Sequence, residues 1–106
     1  MQDFEDDNFY PLMLVELFGL NDDVEESTAQ VLITIWTYAG LKNEGYTELL
    51  NISENVRKFL LTNKILGGEF ILQMPLEFGM AETDSDSFFC SNFLAIYKIF
   101  KHDENY

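Results

Sequence analysis

The order of apolar and polar residues along the chain predicts mainly helices. Apolar residues recur at helical spacing in residues 8–19, 22–40 and 53–67, and a glycine ends each of these segments. At or next to the start of each segment stands an Asn, Asp or Ser, the residue types that cap helix N-termini by accepting a backbone N–H. Residues 46–52 add a further short helical piece. We therefore expect four or five helices in all.

The last of the predicted helices covers residues 88–100. Phe89, Phe93, Ile96 and Phe100 follow one another at intervals of four, three and four residues, which places them on one face of a helix. Acids precede this segment and cations stand at its end, an arrangement that the helix dipole favours. The segment therefore reads as an amphipathic helix.

Two segments carry strand signals. Residues 69–74 are largely apolar and stop at Pro75, which is typical of a short strand. Residues 31–35 form a run rich in β-branched side chains, which favours a strand over a helix.

The predicted fold is a mainly α, compact single domain over residues 1–106, with a short strand or hairpin around 69–78 and a frayed acidic segment at 1–7. The alternative is an α+β fold in which 31–35 and 88–100 are strands.

Composition shows that the chain can bury a core. Hydrophobic residues make up 47% of the 106 residues, and the aromatic residues include ten Phe, five Tyr and one Trp. Each buried aromatic side chain removes roughly 150–250 Å² of surface from water. The acidity described next therefore belongs to the surface of a folded domain, since disordered acidic tails contain few such residues.

The charge is one-sided. The chain has 19 Asp and Glu against 6 Lys and Arg, a formal net charge of -13. Lys and Arg are missing from residues 1–41 and again from 65–97. Such a field repels nucleic acid and anionic membranes and attracts a basic surface. We therefore expect a basic protein as partner, and neither nucleic acid nor a membrane.

The chain start and the cysteine count favour a cytoplasmic location. Residues 1–7 are acidic, the opposite of the basic region that opens a secretory signal. Apolar runs fall well short of the ~20 residues that span a bilayer. The single cysteine, Cys90, has no partner for an internal disulfide and fits a reducing compartment.

Residues that could carry catalysis are isolated. His102 is the only histidine and lies near the chain end, and Cys90 is interpreted as a buried core residue. The alternating acids Glu82, Asp84 and Asp86 lack the glycine and glutamate that a calcium-binding EF-hand loop requires. Gly67-Gly68 lacks the lysine of a phosphate-binding loop. We therefore expect no enzyme activity, no catalytic or metal-binding residues and no cofactor.

The acid clusters are the predicted partner-binding sites. An acidic surface with an aromatic anchor inside it is complementary to the cationic groove in which a nucleic-acid-handling enzyme binds phosphates. The charges speed association, and the anchor supplies specificity. Trp36 and Tyr46 are the candidate anchors, and core packing is the more common role for Trp36. The predicted partner-binding residues are Asp22, Asp23, Glu25, Glu26, Tyr46, Glu82, Asp84 and Asp86.

The favoured function is an inhibitor of a basic, nucleic-acid-handling enzyme, such as an immunity protein that neutralises a nuclease toxin. A phage-encoded nucleic-acid mimic directed against restriction or CRISPR machinery is the alternative. A third hypothesis is a small non-inhibitory subunit or protein-interaction module. Phe and Tyr exposed beyond the needs of the core would favour that third hypothesis, because a large apolar patch implies a permanent neighbour or a homodimer.

Overall fold

A computed structural model describes residues 11–23, 26–38, 45–81 and 88–99. These residues form five strands and one helix. In chain order the elements are β1 (Leu12–Asp22), β2 (Ser27–Tyr38), α1 (Gly45–Thr62), β3 (Ile65–Leu66), β4 (Phe70–Ala81) and β5 (Phe88–Ile99). Strands account for 65% of the described residues, so this part of the chain is mainly β.

The strands form one antiparallel sheet that curls into a half-barrel, in the order β1-β2-β5-β4-β3. β1 and β2 are a hairpin, and β2 pairs with β5 along its whole length, from Ser27 opposite Ile99 to Tyr38 opposite Phe88. The chain leaves β2, passes through α1, adds β3 and β4 at the far side, and returns as β5 between β2 and β4. The centre of the sheet is therefore built from segments roughly 60 residues apart in sequence, and such non-local pairing slows folding.

The core lies between α1 and the two central strands, β2 and β5. α1 presents Leu49 and Leu60 to the sheet. The sheet contributes to the same cluster the buried side chains Ile33, Ile35, Leu72, Phe93, Ala95 and Tyr97. The Thr37 hydroxyl also donates a hydrogen bond of 2.6 Å to the Gly45 carbonyl, which ties the end of β2 to the first residue of the helix. One helix on one sheet is thus the layer arrangement that buries the apolar face.

The predicted mainly α fold is wrong. The predicted helices at 22–40 and 88–100 are the strands β2 and β5, and most of the predicted helix at 8–19 is the strand β1. The α+β alternative is also wrong as a fold class, because the described residues are mainly β, although residues 31–35 and 88–99 are strands as it proposed. The N-terminal residues expected to be frayed, 1–7, lie outside the described residues.

The misleading periodicity comes from central strands that are apolar on both faces. In β5 the helix-side residues Phe93, Ala95 and Tyr97 are buried, while Leu94 and Ile96 between them are half-buried on the opposite face. A continuous apolar run of this kind fits a period of 3.6 as well as a period of 2. Pairing with strands on both sides decides the outcome, and that information is not local.

The helix and the turn after it correct two further expectations. The two predicted helical pieces at 46–52 and 53–67 are one continuous helix that ends at Thr62. Ser53 is therefore not a cap: it is buried in mid-helix, and its Oγ lies 2.8 Å from the Ser91 Oγ. Gly67 and Gly68, with φ of 61° and 74°, form the turn between β3 and β4, where left-handed backbone favours glycine.

The predicted strand at 69–74 is confirmed for residues 70–74, but its predicted end at Pro75 is wrong, because β4 continues to Ala81. Proline lacks the backbone N–H that the sheet ladder needs. The pairing of β4 with β5 accordingly shifts between Gln73 and Glu77, so Pro75 sits in an irregularity rather than in the regular ladder. Residues 82–87, which follow β4, lie outside the described residues.

The buried serine pair should behave as one unit in stability measurements. Ser53→Ala or Ser91→Ala alone leaves the other hydroxyl buried without its partner, which costs about 1–3 kcal/mol. Removing both hydroxyls should cost clearly less than the sum of the two single changes. Urea denaturation of the wild type, both single variants and the double variant gives the coupling energy. Additive effects would show that the two hydroxyls find other partners.

Candidate functional site

The edge strand β1 exposes most of its apolar side chains. β1 borders only β2, and its other edge carries no strand among the described residues. Leu14 and Val15 are 44% and 57% exposed although they point to opposite faces of the sheet. The large apolar residues of β1 that are exposed are Leu12, Met13, Leu14, Val15, Leu17, Phe18 and Leu20. Isolated exposed apolar residues are ordinary, but a contiguous patch marks an interaction site.

On the helix side, β1 forms one flank of an apolar groove. We call it the β1 groove, and its volume is about 850 Å³, within the range of ~300–1,000 Å³ typical of ligand pockets. Its floor is Met13, Val15 and Leu17 of β1 with Ala29, Val31, Ile33 and Ile35 of β2. Its wall is Ile52, Asn55, Val56, Phe59 and Leu60 of α1. Pro11, Leu12, Leu66, Phe70 and Tyr97 complete it.

The groove exists because one helix is too narrow for this sheet. Strands lie ~4.8 Å apart and a helix with its side chains is ~10–12 Å wide, so one helix covers about two strands. α1 lies on β2 and β5 and leaves the helix-side face of β1 open. The apolar stripe of α1 also continues past the core: Phe59, which lines the groove, is 59% exposed. The groove therefore has an apolar floor and one apolar wall, and none of the described residues covers it.

Polar groups are few inside the groove. Asn55 supplies the one side-chain amide of the lining, and Tyr97 supplies a hydroxyl. Burial raises the pKa of the Tyr97 phenol, so this group is neutral at physiological pH. Such a lining suits an apolar occupant and offers nothing to orient a charged small molecule inside the groove.

An acidic turn lies at one end of the sheet, outside the groove lining. Asp22, Asp23 and Glu26 lie in or beside the connection between β1 and β2 and are exposed; we call these three residues the acidic turn. The turn is held locally: the Ser27 hydroxyl donates to the Asp22 carboxylate at 2.5 Å, and the Asp23 N–H donates to the Glu26 carbonyl at 2.8 Å. Strand pairing places Asp22 at the same end of the sheet as Phe70. The acidic turn and the groove lining at Phe70 therefore share one end of the molecule.

The other predicted partner-binding residues are dispersed or lie outside the described residues. Tyr46 is half-exposed in the first turn of α1, with its ring 5.7 Å from that of Phe89, near the start of β5. β5 runs from there to Ile99 at the end near the acidic turn, so the structure separates Tyr46 from Asp22 by the length of the sheet. Trp36 pairs with Leu12 and Cys90 on the face opposite the helix. Glu25, Glu82, Asp84 and Asp86 lie outside the described residues.

The groups considered for chemistry are not arranged for it. Cys90 is buried, and burial raises the pKa of its thiol, the opposite of what activates a cysteine. On the surface of α1, a hydrogen bond from Arg57 lowers the pKa of the exposed Glu54 carboxyl. No group of three or more His, Cys, Asp or Glu in the described ranges could hold a metal ion.

The groove was missed by sequence reasoning, although a signal for it is present. Residues 12–20 contain one charged residue, Glu16, among apolar residues and a glycine. A run with this composition is typical of a strand buried on both faces. Assigning it to a helix hid that implication. In the structure this run is instead an exposed edge strand, β1. The mismatch between its buried-type composition and its exposed position identifies the site.

Within the described residues, no helix is both long enough and apolar enough to cross a membrane. Comparison with protein-family models, curated proteins and solved structures finds no match to this chain.

Proposed function

We propose that this chain is a non-catalytic protein-binding module that holds an amphipathic helix of a basic protein in the β1 groove. The observation that carries the proposal is the apolar groove, which no described residue covers and whose Phe70 end lies at the same end of the sheet as the acidic turn. This is the interaction-module hypothesis, and exposed Phe18, Phe59 and Phe70 supply the surplus aromatic surface that favours it.

The dimensions of the groove favour a helix as the occupant. A second helix beside α1 would cover the helix-side face of β1 and complete the second layer of the fold. β1 has 11 residues, about 36 Å of strand at ~3.3 Å per residue. A partner helix of about 18 residues, roughly 27 Å long, fits along it. Binding would follow the helix-in-groove mode, in which an apolar stripe supplies the anchors.

The charges favour a basic partner. Asp22, Asp23 and Glu26 lie where one end of the bound helix would emerge, and the whole chain carries a net charge of -13. Exposed charges at a rim chiefly speed association and select partners, whereas desolvated apolar anchors supply affinity. A helix with an apolar stripe and Lys or Arg at one end is complementary to both features.

Inhibition of a basic, nucleic-acid-handling enzyme is the second candidate. The grouping of the acidic turn at one end of the sheet supports an immunity-type inhibitor, which concentrates its carboxylates against one site. A nucleic-acid mimic would instead spread carboxylates along a face. The exposed apolar groove favours a permanent binding module over both forms of inhibitor. An inhibitor must remain soluble until its target appears, and a large exposed apolar patch works against that.

The test uses a labelled 18-residue peptide with leucines on one helical face and lysines on the other. Fluorescence anisotropy should show binding to the wild-type protein. Phe59→Asp should weaken this binding at least ~10-fold, since it removes a large apolar contact and places a charge in the groove wall. The matched control Ile65→Asp, at a residue 61% exposed outside the groove lining, should bind like the wild type.

The variants separate groove binding from mere charge attraction. Phe59→Asp makes the protein more acidic, so a purely electrostatic complex would tighten instead of weakening. A peptide of the same composition with scrambled leucines should bind at least ~10-fold more weakly than the patterned peptide. Asp23→Lys with Glu26→Lys should slow association of the patterned peptide. Equal affinity for both peptides, or tighter binding of the patterned peptide to Phe59→Asp than to the wild type, would overturn the proposal.

A further inference from the structure

We infer that β1 pairs through its open backbone edge with β1 of a second copy of this chain, in antiparallel orientation about a two-fold axis. This inference concerns the strand edge, and it stands apart from the proposed occupant of the β1 groove. It would join the two five-stranded sheets into one continuous sheet.

The open edge of β1 lacks most of the features that keep strand edges from pairing. An edge strand presents a row of unpaired N–H and C=O groups, and natural edges are commonly blocked by Lys, Pro or short length. β1 is 11 residues long, contains neither Lys, Arg nor Pro, and has Glu16 as its only charge before Asp22. The register shift between Leu17 and Gly19 interrupts the ladder only in its second half.

The composition of β1 is that of a strand with neighbours on both sides. Exposed apolar residues stand on both faces: Met13, Val15 and Leu17 on the helix side, and Leu12 and Leu14 on the other. A second strand alongside would give each of these residues a cross-strand partner, and such pairs are the unit of sheet stabilisation. Pairing also satisfies the backbone groups of the edge, which a side chain or small ligand cannot do along the whole strand.

Self-pairing has a favourable register. The regular part of β1 is 12–17, and an axis at Val15 places Val15 opposite its own copy, Met13 opposite Leu17 and Leu14 opposite Glu16. Glu16 then faces Leu14 and not a second Glu16. Because opposed residues share a sheet face, the two α1 helices lie on the same side and the two grooves become neighbours. The contact is isologous, as in most homodimers.

Repulsion within this contact comes chiefly from the two Glu16 side chains, which are diagonal neighbours on one sheet face roughly 7–8 Å apart, and only weakly from the acidic turns. Asp22 is seven residues from the axis, about 23 Å along the strand at ~3.3 Å per residue. That distance exceeds the Debye length of ~8 Å at physiological ionic strength. Two copies of net charge -13 still repel weakly, so the dimer should tighten as salt rises. Peptide binding in the groove should show the opposite salt dependence.

Sedimentation equilibrium on the full chain tests the inference. The wild type should be a dimer at micromolar concentration. Val15→Lys and Val15→Glu, at a half-exposed position, each place two like charges opposite one another and should weaken dimerisation on the order of 100-fold. An equimolar mixture of the two variants should dimerise again, because Lys then faces Glu. This rescue is specific to pairing of the residue with its own copy.

Two controls keep the outcome interpretable. Ile65→Lys and Phe59→Asp, both at exposed sites away from the edge of β1, should remain dimeric. Circular dichroism and thermal unfolding establish that the Val15 variants fold. Three outcomes would each overturn the inference. They are a wild type that stays monomeric at every concentration from ~10 µM to ~1 mM, a Val15→Lys variant that dimerises as tightly as the wild type, and folded Val15 variants that fail to rescue one another. Failure of peptide binding alone would leave it intact.

Discussion

Phe93→Ala is expected to lower the free energy of unfolding by about 3–5 kcal/mol, the largest effect of any single truncation considered. Phe93 is 1% exposed at the centre of β5, opposite Ile33 of β2 and Phe78 of β4. Its ring centroid lies 4.8 Å from that of Phe78, so truncation removes an aromatic pair as well as buried area. The total stability of a domain of this size is only about 5–15 kcal/mol, so the variant should be close to unfolding.

Phe59→Ala is the matched control. It removes the same atoms from a residue 59% exposed on α1, so its effect should stay within about 0.5 kcal/mol. Urea denaturation followed by far-ultraviolet circular dichroism measures both variants. Similar losses for the two variants would mean that α1 and β5 do not pack as described.

Leu49→Ala should cost about 2–5 kcal/mol. Leu49 is fully buried and joins α1 to the cluster that contains Ile35 and Phe93. Alanine has the higher helix propensity, so the helix itself is not weakened and the loss reports packing of α1 on the sheet. The cavity left under the helix supplies much of the cost, because the sheet below can relax only in part.

Leu50→Ala tests the same chemistry one residue further on. Leu50 is 41% exposed, so its truncation should change the free energy of unfolding by less than ~1 kcal/mol. Thermal and urea denaturation of the two variants show which face of α1 packs against the sheet. A larger loss for Leu50→Ala than for Leu49→Ala would mean that α1 presents a different face to the sheet.

These packing effects bear on the proposed function. Phe93 and Leu49 fix α1 above β2 and β5, and that position leaves the β1 groove open. Phe59 and Val15 stand outside this core, so their replacement should alter binding or dimerisation while the fold persists. The core and the proposed interaction surfaces can thus be tested with different residues.

Part of the site was accessible from the sequence. The acids at 22–26 were predicted to form a partner-facing patch, and Asp22, Asp23 and Glu26 are exposed in one turn. The predicted cause, a helix N-terminus, is wrong, because the turn joins two strands. Tyr46 was grouped with these acids, yet strand pairing places it at the other end of the sheet. Sequence proximity and charge predicted which acids lie together, but not which other residues lie near them.

The sequence by itself determined the one-sided charge, the presence of a large apolar core, the helix within 45–62 and a strand from residue 70. Only the tertiary structure decided that 12–22, 27–38 and 88–99 are strands and that the first lies at an open edge. The reason is physical: a helix closes its hydrogen bonds within one segment, whereas a strand closes them with a distant one. An apolar run such as Val31 to Ile35 is compatible with either, and its pairing with Ala95 to Ser91 settles which forms.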